Sequence, residues 1–342
     1  MPDFPQRVTI KDVAREAGVS PTTVSHALNE RGQVDAQTRA RVQQAAARLG
    51  YRPNRHAQRL RTGEAHMIVL LSSMPFAVAG GPSRLGFMME VAAVAAAAAL
   101  DRGLALVLAP PMESGTVPLE LLEVDGALVI EPSADDANLA YLQRRGLPVV
   151  TIGRPGSQPG AVPHVDIHSA HTTQLLLDHL HAQGARQIAM ILGTEPRNSY
   201  VEARACYERF VGQHGLPLLL ETADEVRGEA GGEQAAAALL AAHPGIDALC
   251  VPIDAFAVGA ARAVQALGRR IPQDVMVATR YDGLRARSCE PPLTAVNLHL
   301  DQVAHQAIDL LFDHLRGETA QVAVPGPLAE LVVRESSNRA AL

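Results

Sequence analysis

The stretch Pro21-Thr-Thr-Val-Ser-His-Ala-Leu-Asn29 spaces hydroxyl, imidazole and amide groups three and four residues apart. On a helix that spacing gathers Thr22, His26 and Asn29 on one face, with Pro21 and Ser25 beside them. Such groups can read base edges: an imidazole donates to guanine N7 or O6, a hydroxyl bonds a base or a phosphate, and Thr or Pro carbon touches a thymine methyl. An ordinary solvated helix could carry the same residues, so the charge around them matters. Met1 to Gly63 hold eleven Lys plus Arg against five Asp plus Glu, a net of +6, while the remainder carries -12 of the total of -6. A basic segment is drawn to phosphate and an acidic one is not, which predicts double-stranded DNA as the partner of the first.

The elements that must position those residues are legible in the same stretch. Thr9 followed by Ile10, Val13, Ala14 and Ala17 predicts an amphipathic helix with Thr9 as N-cap, Asp12 as an imperfect capping box and Gly18 as its stop. Ser20 is a second N-cap and Pro21 suits the first helical position, so a second helix starts almost at once and must cross the first steeply. Val24, Ala27 and Leu28 supply its inward face. A third helix is expected from an Asp35 cap through Val42, Ala46 and Leu49 to Gly50. This is the helix-turn-helix arrangement, in which the second helix enters the major groove. After Pro53, Asn54 to Arg61 can form only about two helical turns, too few to be stable alone in water. Leu60 between Arg59 and Arg61, where the charge changes sign, is either one more linker residue packing on the core or an apolar wedge for the minor groove flanked by phosphate contacts, and the flanking arginines favour the wedge.

Other chemistries fail on their motifs. His164, Asp166, His168 and His171, with His179 and His181 nearby, lack the HExxH spacing of a zinc helix and read as a polar helix entrance, so no metal is expected. Neither GxxxxGK[ST], GxGxxG nor GxSxG occurs, which leaves an enzyme without a nucleophile or cofactor motif, and no cofactor is expected. Cys206, Cys250 and Cys289 are widely spaced and odd in number, the pattern of reduced, buried thiols. The longest apolar run, Val91 to Leu100, is too short to cross a bilayer, and no apolar signal core opens the chain. A cytoplasmic protein without a membrane role is the expectation.

At 342 residues the chain exceeds what one hydrophobic core holds, roughly 250 to 300 residues. Beyond Gly63, short aliphatic runs alternate with helical stretches. Strands are expected at 67–71, 104–108, 126–130, 149–152, 187–192, 216–220, 248–251, 275–278 and 295–298. Helices are expected at 84–102, 137–145, 172–183, 201–214, 232–243, 255–267 and 302–315. The alternation predicts parallel sheets covered on both faces. Ligands of such sheets bind beyond the carboxyl ends of the strands, making residues just after each strand the pocket candidates.

The run Val8-Thr-Ile-Lys-Asp-Val-Ala-Arg-Glu-Ala-Gly-Val-Ser-Pro-Thr-Thr-Val-Ser-His-Ala-Leu-Asn29, continued by Ala47-Arg-Leu-Gly-Tyr-Arg-Pro-Asn54 and Ala57-Gln-Arg-Leu-Arg-Thr-Gly63, resembles the headpiece of the lactose/galactose repressor family, its purine-repressor branch in particular. The resemblance implies that 1–52 is a helix-turn-helix headpiece and 53–65 a hinge helix that folds when two subunits sit on an operator. It implies DNA contacts from Thr9, Ser20, Pro21, Thr22, Thr23, Ser25, His26, Asn29, Arg55, Arg59, Leu60 and Arg61, and a near-palindromic operator with a central CG step. Pro21 departs from the hydroxyl residue common there. Sparser landmarks, among them Leu147-Pro-Val-Val-Thr-Ile152, Val165-Asp166, Ile271-Pro-Gln-Asp-Val275 and Tyr281-Asp282, imply a core like a type I periplasmic binding protein: two doubly wound parallel-sheet lobes joined by three crossings. The lobes would be 66–163 with 294–325, and 164–293 with 326–342.

By the strand-end rule together with matching family positions, the effector candidates are Asp166, Arg204, Asp254 and Asp282, with Ser73, Arg84, Phe87, Arg197 and Asn198 as weaker ones. Carboxylates and guanidinium groups in a closing cleft fix hydroxyls, amines or carboxylates of a small polar metabolite. Ile253, Tyr207 and Thr279-Arg280 depart from the family pattern and reshape that pocket. The expected protein is a homodimeric transcriptional regulator, a repressor, whose operator affinity follows a metabolite held between the lobes. The competing reading is a solute-binding or sensor protein without a DNA role, which would leave the basic headpiece unexplained.

Overall fold

The computed structural model describes residues 8–29, 33–51, 64–80, 86–112, 117–156 and 162–339. The chain divides into two compact units, Met1–Ala65 and His66–Leu342.

In the first unit, α1 (Ile10–Ala17), α2 (Pro21–Leu28) and α3 (Ala36–Leu49) form a three-helix core. Each start has an identifiable cause. The Asp12 carboxylate accepts from both the Thr9 amide and the Thr9 hydroxyl, the Ser20 hydroxyl accepts from the Thr23 amide, and Asp35 accepts from the Thr38 amide. Gly18 and Gly50 end α1 and α3 in the left-handed region, at φ 66° and 64°, which a side chain would strain. Val13, Val24, Ala27, Val42 and Ala45 are fully buried between the helices, with Leu28 and Leu49 packed at the edge.

The second unit holds two parallel sheets. The first runs in the order β11-β5-β4-β3-β1-β2, from β1 (Met67–Ser72), β2 (Ala105–Leu108), β3 (Gly126–Ile130), β4 (Val149–Ile152), β5 (His164–Asp166) and β11 (Ala323–Pro325). Along β1, Ile68 and Leu70 join one apolar cluster while Val69 and Leu71 join another, so the sheet is buried on both faces. Helices α5 (Phe87–Asp101) and α12 (Leu300–Arg316) pack together on one of those faces. The second sheet runs β7-β6-β8-β9, from β6 (Ile188–Gly193), β7 (Leu219–Ala223), β8 (Ala248–Cys250) and β9 (Met276–Ala278). Around it lie α7 (Ser169–Ala182), α8 (Asn198–His214), α9 (Gly228–Ala242) and α10 (Asp254–Ala266). Helices α9 and α10 approach closely because Gly232 and Gly259 lack side chains: a Cβ on Gly259 would stand 1.9 Å from the Glu229 carbonyl oxygen.

Three segments join the lobes. Two of them repeat a device: Asp166 Oδ1 accepts from the His168 amide and Asn297 Oδ1 from the His299 amide, and both histidines adopt left-handed backbone, at φ 51° and 50°. The side-chain bond offsets the strain of a non-glycine residue there. The antiparallel ladder of β10 (Ala295–Asn297) with β12 (Glu330–Val332) ties the second and third segments together. Strand β5 belongs to the first sheet, so the chain leaves that lobe after Asp166, three residues later than the sequence boundary at 163; at three residues each, β5 and β11 are too short to show periodicity.

Candidate DNA-reading face and interlobe cleft

On the first unit, Pro21, Thr22 and His26 are exposed along α2, and Ser25 and Asn29 are half-buried beside them. The Asn29 amide donates to the Ser25 carbonyl at 2.6 Å, so its amide closes the helix end. Ser20 and Thr23 bond each other as well as the cap, and Thr9 holds Asp12. The free groups of this face are therefore Thr22 and His26, with Ser25 at the margin. Arg55, Arg59, Leu60 and Arg61 lie outside the described residues, as does Arg84.

In the second unit a narrow cleft of about 40 Å³ lies between the lobes. Met74, Val78, Phe87, Ile130 and Glu131 line it from the first lobe, and Tyr200, Ile253, Asp254, Arg280 and Tyr281 from the second. Most of them sit at or just beyond strand ends or in the first turns of helices, where parallel sheets leave room for ligands. Phe87 meets the Tyr281 ring edge-on at 5.4 Å between centroids. Asp254, first residue of α10, is buried; desolvation raises its carboxyl above the usual range, against the pull of Arg285 at 3.4 Å. Burial likewise pushes the Tyr200 and Tyr281 phenols up, keeping them neutral donors. Glu131, at φ 47°, fits because Gly153 has no Cβ to meet its carboxylate.

Two arginines tie the lobes. Arg197, 2 % exposed, is gripped by Glu225 at 2.9 Å and donates to the carbonyls of Glu131 and Ser73 in the first lobe. Arg285, on the short helix α11 (Leu284–Ser288), is held by Asp254 and Glu229 and donates to the carbonyls of Ala77 and Val78. Glu131 completes the contact: its carboxylate accepts from Ser199 and faces Arg280 at 3.3 Å.

The sequence candidates thus separate. Phe87 and Asp254 line the cleft. Ser73 and Arg197 border it as parts of the interlobe tie rather than as open ligand groups. Asn198 donates its side-chain amide to the Glu202 carboxylate one turn further along α8, and Asp166 is engaged by Arg154 at 2.7 Å and by the His168 amide. Asp282 is paired with Arg334 at 2.7 Å and with Arg287, at a crossing segment. Arg204 is exposed on α8 and paired with Glu208 at 2.8 Å, away from the cleft; α8 starts at Asn198, and the buried stripe falls on Ala203 and Tyr207 instead. Glu131, Tyr200, Arg280 and Tyr281 were not among the candidates, although the strand-end rule reaches Glu131 directly after β3. A wider groove between α9, α10 and α11 lies on one lobe and has no unpartnered buried side-chain atom among its lining residues. No metal-binding group of His, Cys, Asp and Glu occurs among the described residues, and no helix among them is long and apolar enough to cross a membrane.

A basic helix-turn-helix unit, followed in the chain by a two-lobed α/β core with a cleft between its lobes, defines a transcriptional regulator with an effector-binding domain. Residues 9–54 match the model for bacterial regulatory proteins of the lacI family, and 177–337 that for a periplasmic binding protein-like domain. The HTH-type transcriptional regulator CelR of Thermobifida fusca is 32 % identical over 97 % of this chain and 98 % of its own. Among solved structures, a CelR–cellobiose complex matches with a TM-score of 0.70 at 29 % identity, covering 96 % of this chain and 100 % of that one. The lac repressor dimer bound to operator and the anti-inducer ONPF matches at 0.79 and 25 %, covering 97 % and 99 %. The chain belongs to the LacI family of transcriptional regulators, and its relatives are regulators rather than enzymes.

Proposed function

We propose that two copies of this chain bind a near-palindromic operator with a central CG step, and that a small polar metabolite between the lobes sets the affinity of that complex. The protein acts in the cytoplasm as a repressor and needs no cofactor besides this effector. The observation that carries the reading is the cleft itself: Phe87 and Glu131 of one lobe face Tyr281 and Arg280 of the other, in a chain whose other unit presents Thr22 and His26 on a basic three-helix tip. A ligand that bridges the lobes favours one interlobe angle, and so biases the spacing of two headpieces on one duplex. Carbohydrates are the first class to test, since a relative forms a complex with cellobiose. The competing sensor reading leaves the charge of the first unit without a role.

Fluorescence anisotropy on a palindromic duplex of roughly 16 to 20 base pairs, using the chain with and without residues 1–63, tests the proposal. Sequence-preferring binding by the full chain, lost on truncation and altered by a metabolite that the core also binds, is the expected result. Equal affinity for random duplex would overturn it.

A further inference from the structure

Directly after β1, residues 73–80 leave the first sheet and carry a single-turn helix, α4 (Phe76–Ala79), onto the second lobe. The Pro75 carbonyl accepts from the Val78 and Ala79 amides and the Phe76 carbonyl from the Gly80 amide, which uses up the bonds so short a helix makes within itself. The carbonyls of Ala77 and Val78 are left over, as the last carbonyls of a helix are. Arg285 of the second lobe takes both, donating to them at 2.7 Å and 2.8 Å through separate nitrogens. From the same lobe, Arg197 donates to the Ser73 carbonyl at 3.2 Å. Gly228, the first residue of α9, makes room for the contact: a Cβ there would stand 2.8 Å from the Ala77 Cβ. Helix α4 also packs against the turn at Glu225–Arg227 and against α9.

Neither guanidinium depends on this segment for its charge balance. Arg285 keeps Asp254 at 3.4 Å and Glu229 at 3.7 Å, and Arg197 keeps Glu225 at 2.9 Å, all within the second lobe. Pulling a buried ion pair apart strands a charge, but here only N–H to carbonyl bonds tie α4 down, and water replaces them when the segment lifts. Such a contact can be made and released repeatedly. With α4 seated, the cleft measures about 40 Å³, far below the roughly 300 Å³ at which ligand pockets begin. Met74, Val78 and Ala79 line it, so the segment that ties the lobes also fills the space between them.

We propose that residues 73–80 form a releasable strap: seated on Arg285 and Arg197, they hold the lobes together by the chain's own contacts, and an effector gains the cleft only when α4 lifts. Strap seating and effector binding then exclude one another. The effector acts by opening the lobes, and its apparent affinity is lowered by the fraction of molecules whose strap is seated. This deepens, and rests on, the reading of the interlobe angle as the control of operator affinity.

Hydrogen–deuterium exchange of the full chain, resolved by peptide, tests the strap. In the unaltered chain the amides of residues 78–80 should exchange slowly although their helix is one turn long. Arg285→Lys keeps a cation beside Asp254 and Glu229 but replaces the two-pronged donor with a point charge, and should speed exchange there at least about tenfold while β6 and β8 stay protected. Ala77→Leu crowds Gly228 from the strap side and should do the same, which covers a failure of Arg285→Lys to fold. Ile253→Cys, added to each chain, puts a thiol in the cleft wall, and its alkylation by iodoacetamide should quicken at least about tenfold in the released variants. Fast exchange at 78–80 in the unaltered chain, or unchanged exchange and alkylation in every variant that folds, overturns the strap. Anisotropy on the palindromic duplex, read in the same samples, separates the two ideas. A released strap with altered duplex affinity supports both, whereas a released strap with unaltered duplex affinity removes the link to DNA and leaves the strap.

Discussion

Arg197 shows how a residue placed by sequence near a ligand can be consumed by the protein itself. Its guanidinium reaches from Glu225 to two carbonyls of the opposite lobe. Removing one partner of a buried pair typically costs about 3–5 kcal/mol because the other charge is stranded. Arg197→Ala should therefore lower the urea midpoint of the core steeply, whereas Arg204→Ala, at an exposed i,i+4 pair with Glu208, should leave it nearly unmoved. At the headpiece, His26→Ala should reduce discrimination between operators more than affinity for random duplex, as read by competition binding. Asp282→Ala is expected to loosen the crossing held through Arg334 and Arg287 and to lower the melting midpoint. The legible part of the cleft was the part set by strand ends: Asp254 and Phe87 sit where parallel-sheet geometry puts them. Arg280 was visible only as a departure from a family pattern, since nothing in a sequence tells that Glu131, far away in the chain, stands opposite it.

At the scale of elements, caps and glycines carry the argument. Asp12 and Asp35 are held below their ordinary 3.8 chiefly by bonds from the Thr9 hydroxyl and the Thr38 amide. For a depressed carboxyl, the stability is complete above the unfolded value and is lost as pH falls through the folded one. Circular dichroism of residues 1–65 should show helicity falling below about pH 4, and Asp35→Asn, which caps without titrating, should flatten that response. Gly259→Ala must force α9 from α10 and is expected to cost about 1–3 kcal/mol or more, seen as a lower urea midpoint at unchanged slope. Helix starts at Ser20–Pro21 and strands β3 and β4 were readable to the residue, because caps and unbroken aliphatic runs are local signals. Strands β5 and β11 were not, since three-residue strands such as His164-Val-Asp166 and Ala323-Val-Pro325 are defined only by the neighbours they pair with.

For the whole molecule, the opposite charges of the two units predict opposite responses to salt. Operator binding should weaken linearly on a log–log plot as salt rises, with a slope set by the phosphates neutralised, while ligand binding to residues 66–342 should barely respond. The first sheet has a second consequence. Its edge is completed by Ala323–Pro325, synthesised more than two hundred residues after β1 begins at Met67, and α12 must return to cover its face. A ribosome making this protein thus finishes the three-helix tip, which can fold early, well before the first lobe, whose apolar surface stays uncovered until β11 has been made. That order makes premature termination before residue 323 a route to aggregation, and makes the interval of greatest dependence on chaperones the time between translation of β1 and of β11.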